Sequence, residues 1–96
     1  MKKTAIILLA DEFEEIEAIT PYDLLNEAGV ETKLISVSDE TNVTGTNGLK
    51  VIADGLLKEI DTKKADCLII PGGAGYQILK KAERSRFDPI FCQATR

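Results

Sequence analysis

The chain contains no histidine, and its only cysteines are Cys67 and Cys92. Without His there is no Ser-His or Cys-His dyad, no His-ligated metal and no imidazole pH switch. Acid–base work is left to carboxylates, Lys, Tyr or Cys. Two thiols 25 positions apart form neither a disulfide framework nor a CxxC metal pair, which fits reduced thiols in a cytoplasmic protein. No apolar run approaches the ~20 residues that cross a bilayer. The N-terminal run Thr4–Ala10 follows Met1-Lys2-Lys3 but meets Asp11-Glu12 at once, with no small-residue cleavage site. It is expected to be a strand rather than a signal peptide. Repeats, linkers and low-complexity stretches are also missing. So is the dinucleotide fingerprint, because Gly73-Ala74-Gly75 is followed by Tyr76-Gln77-Ile78 with no third glycine.

What remains is 96 residues, enough for one domain with one core. Net charge is −4, which argues against a nucleic-acid partner and against an anionic membrane. The charge is skewed. Residues 1–31 carry eight acidic groups against Lys2 and Lys3, a balance of −6 that leaves +2 for the rest. A solvated helix face accounts for most of that skew.

Thr4–Leu9 is a continuous apolar run, as expected of a strand covered on both faces of a parallel sheet. Glu15 to Ala28 has helical spacing, with Ile16, Ile19, Leu24, Leu25 and Ala28 expected inward and Gly29 as the stop. Pro21 inside it predicts a kink, or two short helical pieces. Lys33–Val37 completes a βαβ unit. Ser38 to Gly48 is polar, with Asn47-Gly48 as a turn signal. Leu49 to Ala53 is expected as an edge or hairpin strand, Asp54 to Ile60 as a short helical turn and Asp66 to Ile70 as a third apolar strand. The glycine-rich turn Pro71–Gly75 leads into a helix over 76–84, whose Lys80 and Lys81 are expected to face solvent. In Ser85–Arg96, Asp88-Pro89 breaks the helical pattern. The whole reads as an α/β parallel sheet that stops within a unit.

Two places could carry chemistry. Asp11–Glu17 lies at the carboxyl end of the first strand, where open α/β sheets bind ligands. Glu14 and Glu15 are explained by the positive helix N-terminus. Glu17 sits beside the apolar stripe, where a carboxyl favours its neutral, hydrogen-bond-donating form. Pro71–Gly75 could turn backbone N–H groups toward an oxyanion or a small anion, or be no more than a tight βα turn. Cys67 is expected in the core. Only four residues follow Cys92, too few for the helix that supports a nucleophile elbow.

The segments DEFEEIEAITPYDLL (11–25), Ala28-Gly29-Val30, Gly48 to Asp54 and DCLIIPGGAG (66–75) resemble the N-terminal part of the ThiJ/PfpI family. That superfamily includes Parkinsonism-associated protein deglycase and the PfpI-type intracellular proteases. The likeness covers about residues 3–85. It implies a flavodoxin-like α/β sandwich, usually a homodimer, with no metal or organic cofactor. It implies a cysteine nucleophile on a strand-to-helix elbow, with Glu17 donating a hydrogen bond to that cysteine and lowering its pKa. The turn at Gly72 and Gly73 would line the oxyanion site. The activities implied are glyoxalase, deglycase or peptidase chemistry on small carbonyl electrophiles, with roles in stress response. The family's elbow strand has no counterpart after Gly73, so the expectation is a truncated or frame-shifted chain, inactive alone. The Asp66–Ile70 strand would then be an exposed apolar edge. The alternative is a non-catalytic module that holds a small anion, or regulates, through Pro71–Gly75.

Overall fold

The computed structural model describes residues 3–72. Gly73, the expected helix at 76–84, the 85–96 segment and Cys92 lie outside the described residues.

The first strand, β1 (Thr4–Leu9), is buried from Ala5 onward, as its unbroken apolar sequence requires. It sits inside a parallel sheet. One neighbour is β2 (Glu31–Ser36), in register from Thr4 opposite Glu31 to Leu9 opposite Ser36. The other is the Cys67–Ile69 strand, with Ala5 opposite Cys67 and Ile7 opposite Ile69. A separate antiparallel hairpin pairs β3 (Asn42–Thr44) with β4 (Lys50–Ile52). The short β5 (Gly55–Leu56) pairs with β2, and Cys67–Ile69 is β6. The parallel sheet therefore runs β5-β2-β1-β6, and β6 is its edge among the described residues.

Alternate residues of β1 feed two cores. Ile6 and Leu8 point to one face and join Ile35, Leu57, Ala65, Leu68 and Ile70. Ile7 and Leu9 point to the other and join Phe13, Ala18, Leu34, Val43 and Ile69. The helix α1 (Glu15–Glu27) covers the second face. Acidic side chains tie the strand starts: Thr4 N–H donates to Asp66 Oδ2 at 2.8 Å, and Leu34 N–H to Asp54 Oδ2 at 2.8 Å.

Four expectations need correction. Pro21 does not divide the helix, because α1 runs through it as one element. The cost falls on the Glu17 carbonyl, whose i+4 N–H proline removes. Of the residues expected inward on α1, Leu25 packs on the core beside Ala18 and Tyr22, but Ile16 and Leu24 are 69% and 59% exposed and Ala28 is exposed. Small Ala18 lets the helix approach the sheet, and Ile16 stands roughly 200° away from it at about 100° per residue. The polar stretch 38–48 contains a strand, β3, in which only Val43 is buried. Finally, Asp54–Ile60 is not one helical turn but β5 followed by a 3-10 turn at Leu57–Glu59.

Candidate functional site

The N-terminus of α1 lies beside the carboxyl end of β6, and Gly72 joins them from both sides. Its carbonyl accepts from Glu14 N–H at 2.9 Å. Its own N–H donates to Glu17 Oε1 at 2.5 Å, across 55 residues of sequence. Glu14, the N-cap, makes no side-chain cap bond, so its backbone and not its carboxyl does the joining. Glycine is needed at 72 for space: a Cβ there would lie 2.6 Å from Glu17 Oε1. Glu17 is half-buried and Gly72 buried. The structure thus brings together two of the three expected site residues. The Gly72 amide, offered by the sequence to an oxyanion, is donated to Glu17. Gly73 is outside the described residues.

The hairpin braces the same helix start from the opposite side. Glu12 N–H donates to the Thr44 carbonyl at 2.8 Å and Thr46 N–H to the Phe13 carbonyl at 2.8 Å. Asp11 Oδ1 accepts from Thr44 N–H at 3.0 Å. Glu15 Oε2 accepts from Asn47 N–H at 2.7 Å and Leu49 N–H at 3.3 Å, while its Oε1 accepts from Asn47 Nδ2 at 3.1 Å. Burial pushes the Glu15 carboxyl upward, but these donors outweigh it and hold it below the usual carboxylate value. Helix-dipole reasoning explained Glu15 without its partners. Asn47-Gly48 is legible as a turn, but its contact with Glu15, 32 residues away, is not encoded by any local pattern.

Cys67 is half-buried and packs against the α1-side core. It pairs with Ala5 at the start of β1 and precedes Gly72 by five residues, roughly 16 Å of extended chain at ~3.3 Å per residue. Among the described residues, no group of three or more His, Cys, Asp or Glu side chains could hold a metal, and no helix is long and apolar enough to cross a membrane.

The model of the DJ-1/PfpI family matches residues 3–86. An uncharacterised protein of Staphylococcus epidermidis is 38% identical over 87 residues, covering 91% of this chain and 51% of its own length. A Bacillus subtilis protein, YraA, named as a candidate cysteine protease, is 34% identical over 84 residues, covering 88% of this chain and 50% of its own. The crystal structure of Drosophila melanogaster DJ-1beta shares the fold, with a TM-score of 0.80 at 24% identity over 99% of this chain and 55% of that one. The chain spans about half the length of the curated relatives it matches.

Proposed function

The chain belongs to the DJ-1/PfpI family, and from that premise we propose that it supplies the glutamate and the backbone turn of a cysteine-based site acting on small carbonyl electrophiles. Glu17 donates a hydrogen bond to the cysteine sulfur and favours the thiolate, the form that attacks. Gly72 and Gly73 line the pocket where the carbonyl oxygen becomes an oxyanion. Gly72 does so by fixing Glu17, and Gly73 by offering its N–H. The sulfur is not Cys67. No metal or cofactor takes part.

The observation that carries the reading is the contact between the Glu17 carboxyl and the Gly72 amide at the carboxyl end of the parallel sheet, where open α/β folds place their sites. The same contact weighs against the small-anion module, because a Glu17 carboxyl oxygen already occupies that donor. Homodimer assembly belongs to the same proposal. Ile16 and Leu24 on α1 and Ile52 on β4 are exposed and give it apolar surface.

The test is methylglyoxal consumption by a chimera in which residues 3–72 replace the matching segment of the Staphylococcus epidermidis relative. Turnover that Glu17→Ala lowers at least about a hundredfold supports the reading. Turnover indifferent to that change removes Glu17 from the site.

A further inference from the structure

The turn between β3 and β4 places Asn47 directly before Gly48, and both are exposed. Gly48 has φ +94°, a left-handed conformation that favours glycine, and a Cβ there would meet nothing within 4 Å. The residue that the turn demands thus leaves the peptide nitrogen after Asn47 unshielded by any side chain. Two hydrogen bonds hold the reacting groups. Asn47 Nδ2 donates to Glu15 Oε1 at 3.1 Å, and Gly48 N–H donates to the Gly45 carbonyl at 3.0 Å.

We infer that Asn47 is a deamidation site restrained by Glu15, and that its product releases the β3–β4 turn from α1. The Gly48 nitrogen, losing its proton to solvent base, attacks Asn47 Cγ. The N–Cγ bond forms, the Cγ–Nδ2 bond breaks, and Nδ2 leaves as ammonia with a proton from water. Water then adds to one carbonyl of the cyclic imide and opens it to aspartate or isoaspartate. Exposure of both residues admits that water, and no oxidant or reductant is consumed. In the fold, Glu15 holds the leaving amide and Gly45 holds the nucleophile, so reaction awaits an opening of the turn. After reaction a carboxylate faces Glu15 Oε1 where a donor stood. Like charges at that distance repel, and the bonds from residue 47 N–H and Leu49 N–H to Oε2 weaken with it. Closing is then disfavoured, and loss of ammonia to solvent makes the step run one way.

The test incubates the full chain in mildly alkaline buffer and maps deamidation at position 47 by peptide mass, beside Glu15→Ala, Glu15→Gln and a short peptide spanning Thr46–Leu49. The wild type is expected to react about tenfold more slowly than the peptide, two hydrogen bonds opposing the reacting geometry. Glu15→Ala is expected to react several-fold faster than wild type. Amide exchange in β2 reports whether that variant stays folded, and Glu15→Gln replaces it in the comparison if not. In a separate chain, Asn47→Asp is expected to lose exchange protection at the amides of residues 47 and 49. Wild type reacting at the peptide's rate, a folded Glu15 variant reacting at the wild-type rate, or full protection in Asn47→Asp would each overturn the inference.

Discussion

Gly72→Ala separates a glycine kept for space from one kept for backbone freedom. Gly72 is outside the left-handed region, so alanine meets no φ strain there. The added Cβ would instead fall 2.6 Å from Glu17 Oε1, and the next two atoms, at 3.5 and 3.7 Å, also belong to Glu17. The end of that side chain must swing away, and the amide–carboxylate hydrogen bond goes with it. Such a bond contributes about 1.5–3 kcal/mol, and alanine restores about 0.4–1 kcal/mol by restricting the unfolded chain. The net loss is roughly 1–2 kcal/mol. Equilibrium urea unfolding, with a slope of ~1 kcal/mol/M, should show a midpoint lower by about 1–2 M at unchanged slope. In a Glu17→Ala background the nearest described atoms are gone, and the same substitution should be neutral or slightly stabilising. An equal drop in both backgrounds would refute the coupling, as would no drop in either.

Other expectations follow from single residues. Glu12 holds φ 75° without being glycine, so Glu12→Gly should raise stability by about 1 kcal/mol while Glu12→Ala gives no such gain. Glu15 is held below the ordinary value of 4.5 because its amide donors outweigh the opposing effect of burial. Its contribution is complete above the unfolded-state value and is lost as pH falls through the folded one. The stability gap between wild type and Glu15→Gln should therefore shrink on acidification below about 4.5, which urea midpoints across pH will show. If the exposed apolar residues of α1 and β4 form a dimer face, Ile52→Asp should shift the sedimenting species toward monomer. An unchanged species would exclude Ile52 from that face.

The parts of the fold legible in the sequence were those where one force dominated. The β1 run has no polar residue after Thr4, and only a doubly covered strand accommodates it. The inward face of α1 was not legible, because Ile16 and Leu24 outweigh Ala18 in hydrophobicity while close packing on the sheet selects the smaller residue. Nor was β3, whose Thr44 is held by a backbone bond from Glu12 N–H and by the Asp11 carboxylate rather than by the strand's own composition. At the site, Glu17 stood out from its place beside the apolar stripe. Its Gly72 partner was found through the glycine-rich turn, but not that Glu17 is the acceptor of the Gly72 N–H. That depends on a contact across 55 residues, which no local pattern encodes.

The central claim is that Glu17 sets the ionisation of the family's cysteine. The most direct measurement is the pH dependence of iodoacetamide alkylation at that cysteine in the chimera, with and without Glu17→Ala. The account predicts a thiol pKa depressed below the ordinary ~8.5 and restored toward it by the substitution. The same alkylation profile with and without Glu17 would contradict it.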